Sequence, residues 1–159
     1  MKKNLVIFNL LLMFSASLIA QNSAYRQKHY NTDKETLALE GYDPVSYFTS
    51  EKPLKGNKKW SYTYEGITYW FSNEANKSEF VKNPSKYEPA YGGWCALAMV
   101  ANGEKVSIDP LTYKISDGRL LLFYKTAFYN ALNGWNKDKT LESERLNRGD
   151  QYWKSIIKN

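Results

Sequence analysis

The sequence predicts a small single domain of the α+β class, with β-hairpins packed on short helices and a further helix at the C-terminal end. Two glycine-containing turns, Glu65-Gly66 and Asp117-Gly118, each lie between segments in which apolar and polar residues alternate. Alternation on both sides of a short glycine turn is typical of a β-hairpin. Near the C-terminal end, apolar residues at spacings of three, four and seven predict one buried helix face, formed by Leu146, Trp153, Ile156 and Ile157.

The first twenty residues have the composition of a secretory signal peptide. Lys2 and Lys3 precede an apolar stretch from Leu5 to Ile19, which is followed by the small residue Ala20. This order is typical of a cleaved signal, and the apolar stretch is short for a membrane span. We therefore predict a signal peptide over residues 1–20 and a periplasmic or secreted protein without a stable membrane span. An uncleaved anchor helix is the alternative.

The remaining chain divides into an arm and a domain. Residues 21–36 are polar, contain the only histidine, His29, and are predicted to form an N-terminal arm with little structure. Residues 37–159 contain the hairpin and helix patterns and are long enough for one hydrophobic core. We recognise no internal repeat and no linker in this stretch, so we expect it to fold as one unit.

The charge of the chain argues against nucleic acid as a partner. The 22 basic and 16 acidic side chains give a net charge of +6 at pH 7, and the two signs are interleaved along the sequence. Nucleic-acid-binding domains usually concentrate Lys and Arg on one face. An exported, mildly basic protein with mixed surface charge does not fit that class.

Two helices have recognisable ends. Ser72 or Asn73 is a suitable N-cap for a helix that runs to about Lys82, because its side-chain oxygen can accept a hydrogen bond from a free backbone N–H. Asn83-Pro84 ends that helix. A second, buried helix is predicted after the glycine pair at 92–93, with Cys95 in its first turn and an end at 102–103.

Cys95 is the only cysteine, so it cannot form a disulfide within the chain. In an oxidising compartment a lone thiol is expected to be buried and inert, paired with another molecule, bound to metal or used in chemistry. The beginning of a helix favours the thiolate form. Gly92 and Gly93 allow a tight backbone turn that leaves the sulfur approachable.

Two further residues are candidate metal ligands beside Cys95. Met99 lies four residues later on the same helix face, and a thiolate with a thioether is a soft pair suited to copper(I). His29 would add a nitrogen ligand, or stabilise a thiolate, if the arm folds back towards Cys95. The candidate metal site is therefore Cys95, Met99 and His29.

Several motifs resemble those of a YHS domain. They are Gly41-Tyr42-Asp43-Pro44-Val45, the segment from Tyr64 to Ser72 and the segment from Phe80 to Tyr87. With the addition of Tyr91 to Ala96, the chain resembles the exported YHS domain-containing (seleno)proteins, in a cysteine form. The resemblance covers about residues 37–157 and implies a YHS-like, treble-clef-like fold.

The resemblance also bears on metal binding. In the wider YHS and TRASH-like families, metal-binding cysteines occur at positions that correspond here to Ser46, Ser72 and Asn76. None of these is a cysteine, so zinc or copper bound in the usual manner of the family is not expected. The (seleno)protein group has its selenocysteine or cysteine at the position of Cys95, which implies a reactive or metal-binding group there.

Three functions remain open at this stage. The leading hypothesis is a metal-associated binding module for copper or another soft metal, centred on Cys95 and more a binding protein than an enzyme. The second is a thiol redox protein in which Cys95 is oxidised to a sulfenic acid and resolved by an external thiol. The third is a non-catalytic interaction module for a partner protein, in which Cys95 is structural.

Overall fold

The computed structural model describes residues 22–158, and the predicted signal peptide lies outside this range. The described chain contains seven α-helices and two separate two-stranded antiparallel sheets, which confirms the α+β class. In chain order the elements are α1 (22–29), a first 3₁₀ turn (Leu39–Gly41), α2 (Ser46–Thr49), β1 (Asn57–Tyr64), β2 (Ile67–Phe71), α3 (Glu74–Lys82), α4 (Pro84–Tyr87), a second 3₁₀ turn (Ala90–Gly93), α5 (Ala96–Asn102), β3 (Asp109–Ser116), β4 (Arg119–Phe123), α6 (Ala131–Lys137) and α7 (Glu142–Ile156).

Both predicted hairpins are present. β1 pairs with β2 through Glu65-Gly66, and β3 pairs with β4 through Asp117-Gly118. The φ angles of these turn residues are 44° and 85° in the first hairpin and 50° and 69° in the second. Positive φ at both central residues defines the turn whose twist matches that of antiparallel strands, which is why Asp-Gly and Glu-Gly occur there.

The second hairpin repeats the first one 52 residues later along the chain. β3 begins 52 residues after β1 and β4 begins 52 residues after β2, with the same strand lengths. Each pair also has its register irregularity at the corresponding place, between Asn57 and Ser61 and between Asp109 and Tyr113. The expectation of no internal repeat is therefore wrong.

The repeat includes the backbone before each hairpin. The last three residues of each 3₁₀ turn are left-handed, with φ of 57°, 51° and 77° at residues 39–41 and of 56°, 61° and 86° at residues 91–93. A parallel bridge joins Leu37 to Thr68 in the first half, and its counterpart joins Pro89 to Leu120 in the second. We call residues 37–82 the first repeat and residues 89–137 the second repeat.

The sequence hides this repeat because few side chains are shared. Between residues 37–72 and 89–124 the identical pairs at the 52-residue spacing are Ala38 and Ala90, Gly41 and Gly93, Gly66 and Gly118, and Phe71 and Phe123. The two glycine pairs occupy positive-φ positions, which favour glycine, and the phenylalanines are fully buried. The two repeats therefore share their backbone conformation although most of their side chains differ.

Strand β4 joins the cores of the two repeats. Leu120 and Leu122 pack in the core of the first repeat, whereas Leu121 and Phe123 pack in the core of the second. Because side chains alternate between the faces of a strand, this unbroken apolar run buries both faces of β4. The two repeats consequently share one strand and form one unit.

The N-terminal arm is folded, contrary to the sequence-based expectation. Residues 22–29 form α1, and His29 is only 8% exposed. Arg26 forms ion pairs with Glu65, at 2.7 Å, and with Glu88, and the Trp94 indole N–H donates a hydrogen bond to the His29 carbonyl at 2.7 Å. These partners are distant in sequence, so local composition gives no sign of them.

The C-terminal helix forms as predicted, although it ends one residue early. Leu146 is buried, and Trp153 and Ile156 pack on the core of the second repeat. Ile157 lies after the last residue of α7 and is 38% exposed. Within residues 22–158, no helix has both the length and the apolar character required to cross a bilayer.

We expect Leu121→Ala to lower the free energy of unfolding by about 2–5 kcal/mol, because it leaves a cavity under β4 in the core of the second repeat. Leu111→Ala, on the 55% exposed Leu111 of β3, is the matched control and should change it by less than about 0.5 kcal/mol. Urea unfolding followed by tryptophan fluorescence and by circular dichroism measures both. Equal midpoints for the two variants would contradict the role assigned to β4.

Candidate functional site

The candidate site lies where the second 3₁₀ turn leads into α5. Cys95 is the N-cap residue of α5, one position before the predicted first turn, and Gly103 ends the helix with φ of 76° as its pattern indicates. Glycine is favoured at position 92 for two reasons. Its φ is positive, and a Cβ there would lie 2.7 Å from the Trp153 ring. The turn thus packs directly against α7 and fixes the start of α5.

The thiol of Cys95 is held at the edge of β4. Cys95 forms a bridge with Leu122, and its backbone N–H donates to the Val106 carbonyl at 2.9 Å. Its sulfur accepts a hydrogen bond from the backbone N–H of Tyr124 at 3.3 Å. The residue is 1% exposed, so the sulfur is buried in a defined position.

Asp43 occupies the equivalent position in the first repeat. Its backbone N–H donates to Leu54, eleven residues later, just as Cys95 donates to Val106 eleven residues later. Its side chain accepts from the N–H of Ser72, the counterpart of Tyr124, at 2.9 Å. The same two backbone contacts therefore surround a carboxylate in one repeat and a thiol in the other.

The Asp43 carboxylate is fully enclosed by donors. Besides the Ser72 N–H, it accepts from the Ser72 hydroxyl at 2.7 Å and the Asn76 amide at 2.6 Å. The backbone N–H groups of Val45 and Ser46 donate to its other oxygen at 2.9 and 3.3 Å. We call Asp43 with these partners the Asp43 cluster; it ties the first 3₁₀ turn to α2 and α3.

The Asp43 cluster contains all three positions that the YHS resemblance matches to cysteines. Ser72 and Asn76 donate to the carboxylate, and the Ser46 hydroxyl donates to the Asp43 carbonyl at 2.7 Å. These positions are adjacent in space but carry hydroxyl and amide groups. Their hydrogen bonds to Asp43 give them a structural role in this chain.

The second repeat differs by an insertion after its last strand. Asn73 caps α3 immediately after Ser72, whereas Asn130 caps α6 six residues after Tyr124. The intervening residues 125–129 form a loop closed by a hydrogen bond from the Thr126 N–H to the Tyr129 carbonyl at 2.8 Å. The insertion separates α6 from the end of β4, at the place where α3 supplies Asn76 in the first repeat.

A cleft of about 300 Å³ lies beside Cys95. Its wall consists of Cys95, Val106, Tyr124, Tyr129, Ala131 and Glu104, together with the α5 residues Leu97, Ala98, Ala101 and Asn102. The wall is mainly apolar, and Glu104 is its only ionisable carboxylate. Cys95 therefore borders a space large enough for a small ligand, and only 1% of its surface is exposed.

Met99 lies one turn after Cys95, as expected, but it is fully buried. It packs in the same core as Cys95. The cleft is bordered by other residues of α5, and Met99 is not among the described residues of its wall. The structure therefore brings Cys95 and Met99 into one core while placing only Cys95 at the cleft.

His29 is positioned by different contacts. Its ring Nδ1 lies 3.2 Å from the Lys105 ammonium, and its ring centroid lies 4.6 Å from that of Tyr25. Burial, and secondarily the charges of Lys105 and Lys28, lower the pKa of His29 below its usual 6.5. Within residues 22–158, no three His, Cys, Asp or Glu side chains are grouped as metal ligands.

Sequence reasoning missed the residues that open the cleft. The alternating pattern of the second hairpin includes Tyr124, but nothing in the sequence reasoning predicts a role for Tyr129 or the loop at 125–129. Asn130 could have indicated this loop. It is a suitable N-cap residue, and it lies farther beyond the second hairpin than Asn73 lies beyond the first.

Comparison with protein-family models, with curated proteins and with solved structures finds no match to this chain.

We expect Asp43→Ala to lower the free energy of unfolding by about 3–5 kcal/mol, because it leaves several buried donors without an acceptor. Cys95→Ala removes a smaller group with one hydrogen bond and should cost no more than about 2 kcal/mol. Chemical denaturation of the two variants compares equivalent positions of the repeats. A larger loss for Cys95→Ala would contradict the structural role given to Asp43.

Proposed function

We propose that this protein is an exported binding module whose ligand site is the cleft beside Cys95, and that the ligand is a soft metal ion, copper(I) above all. The observation that carries the proposal is the contrast between the two equivalent positions. The Asp43 carboxylate accepts five hydrogen bonds, whereas the Cys95 sulfur accepts one, and Cys95 lines a cleft. The equivalent positions thus hold a fully hydrogen-bonded carboxylate in one repeat and, in the other, a buried thiol with one hydrogen bond in a residue that lines a cleft.

The chemistry of sulfur supports a soft metal. Thiolate is the ligand type that copper(I) prefers, and a sulfur with a single hydrogen bond retains lone pairs for a metal. The Tyr124 N–H donates to the sulfur and fixes its position. Carboxylate and phenol oxygens of the cleft are harder ligands, so Cys95 would define the selectivity.

The other candidate ligands receive unequal support. Met99 packs in the same core as Cys95 and is the proposed second sulfur ligand. His29 is less well supported because its ring already contacts Lys105 and Tyr25. The proposed metal site therefore depends on Cys95. We also propose that the chain is related to the exported YHS-like proteins.

A thiol redox function is the second candidate, because the cleft beside Cys95 has room for a peroxide. In that function a peroxide oxidises the Cys95 thiolate to a sulfenic acid, with one peroxide oxygen transferred to sulfur and the other released as hydroxide. An external thiol then displaces water and forms a mixed disulfide. The described chain offers no second cysteine, so the resolving thiol must come from another molecule.

An interaction module is the third candidate, and a specific feature favours it. Phe128, in the inserted loop, is fully exposed, and the neighbouring Tyr129 is 52% exposed. Exposed aromatic residues on a loop beside a cleft are typical of contacts with a partner protein. In this function Cys95 would be structural.

The test is titration of the metal-free protein with copper(I) in the presence of a competing chelator. We expect stoichiometric binding that is abolished by Cys95→Ser, because a hydroxyl is a poor ligand for a soft ion. Ala101→Phe, which places a ring in the cleft and keeps the thiol, should slow copper uptake.

Ala127→Phe, on the exposed inserted loop, is the matched control and should leave uptake unchanged. Equal copper affinity of the wild type and Cys95→Ser would overturn the proposal. If copper does not bind but peroxide rapidly yields a sulfenic acid at Cys95, the redox function takes its place.

A further inference from the structure

A second cavity lies beside the turn of the second hairpin. It has a volume of about 240 Å³, and its wall includes Tyr30, Glu88, Gly118, Arg119 and Trp153. The residue after α1, the loop before the second 3₁₀ turn, the β3–β4 turn and α7 thus meet around one space. This wall shares no residue with that of the cleft beside Cys95, so an occupant would be independent of the copper proposed above.

The two repeats differ at this place. In the first repeat, α1 covers the hairpin turn: a Cβ at Gly66 would lie 2.8 Å from the Cβ of Ser23, and the Gln27 side chain donates to the Gly66 carbonyl at 3.0 Å. Gly118 is the equivalent residue of the second repeat, and a Cβ there would have no atom within 4 Å. The turn of the second hairpin therefore remains uncovered where it borders the cavity.

Two aromatic rings form an apolar corner of the wall. The ring centroids of Tyr30 and Trp153 lie 5.7 Å apart, and the ring planes are inclined at 68°. Both residues are partly exposed, whereas Tyr91, which also belongs to the wall, is buried. The corner thus offers aromatic surface that a ligand can reach.

The same wall carries accessible polar atoms. Glu88 uses one carboxylate oxygen to accept from Arg26 and from the Tyr69 hydroxyl, at 2.6 Å in the latter case. Within residues 22–158, its other oxygen, the Tyr30 hydroxyl and the Trp153 indole N–H have no hydrogen-bond partner, and none of the three is buried. An acceptor, a group that does both and a donor are therefore free for a ligand.

The charges of the wall are largely compensated by residues outside it. Glu88 is paired with Arg26, and Arg119 is paired with Asp150 at 2.7 Å. Lys86 is the remaining charged residue of the wall, and its side chain is exposed. These pairs favour a ligand that is polar but uncharged.

We propose that this cavity binds one ring of a neutral sugar. The hydroxyl groups of a sugar both donate and accept, which suits the mixed polar atoms of Glu88, Tyr30 and Trp153. The C–H faces of the ring are apolar and pack against the aromatic corner. A volume of about 240 Å³ is slightly below the range of about 300–1,000 Å³ that is typical of pockets for drug-sized ligands, and it suits a single ring.

The test uses the indole N–H of Trp153 as the reporter. The chain has five tryptophans, so the spectrum of Trp153→Phe identifies the Trp153 signal of the ¹⁵N-labelled protein. The protein is titrated with glucose, with N-acetylglucosamine and with the open-chain polyol mannitol at equal concentrations. We expect a saturable shift with one or both sugars and none with mannitol. No saturable shift with either sugar, or an equal response to mannitol, would overturn the inference.

The affinity of variants for the better sugar completes the test. Tyr30→Phe removes a hydroxyl and keeps the ring, and should weaken binding about threefold to tenfold. Ser85→Trp places a ring in the cavity from its exposed rim and should abolish binding.

Tyr152→Phe removes a hydroxyl beside Trp153 but outside the wall, and it is the matched control that should leave the affinity unchanged. Cys95→Ser should also bind the sugar as the wild type does, which separates this site from the metal proposal. Unchanged affinity in a folded Tyr30→Phe or Ser85→Trp variant would contradict the site.

Discussion

Burial of both faces of β4 is the constraint on which the rest of the structure depends. Leu120 and Leu122 complete one core, and Leu121 and Phe123 complete the other, so neither repeat can form its core without this strand. The same strand positions the site. Its edge pairs with Pro89 and Cys95 on either side of the second 3₁₀ turn, and the N–H that follows its last residue donates to the Cys95 sulfur. Core packing and thiol placement are therefore consequences of one element.

The two repeats hold a carboxylate enclosed by donors and a thiol at equivalent positions of one backbone. In the first repeat, α3 follows the strand directly, and Ser72 and Asn76 enclose Asp43. In the second repeat, residues 125–129 are inserted before α6, and a cleft lies beside the thiol. A buried carboxylate needs many donors, whereas a thiol tolerates an apolar wall. The exchange of Asp for Cys and the insertion are thus physically consistent with each other.

The sequence predicts those elements whose signals are local. The glycine turns at 65–66 and 117–118 predict the two hairpins. The N-cap residue Asn73 and the C-cap residue Gly103 predict α3 and α5. The repeat could not be predicted from the sequence, because the two halves share only a few glycines and core residues. Neither could α1, whose Arg26 finds Glu65 and Glu88 only after folding. Cys95 was identified from its uniqueness, but its cleft depends on an insertion that only comparison of the two repeats reveals.

The central claim is that the thiol of Cys95 is reached through the cleft in the folded protein. The most direct test is the rate of Cys95 alkylation by iodoacetamide in increasing low concentrations of urea. Access through the cleft predicts a rate that is nearly independent of urea and is slowed by Ala101→Phe. A rate that increases with urea as steeply as global unfolding, and is unaffected by Ala101→Phe, would show that the thiol reacts only in the unfolded chain and would contradict the account.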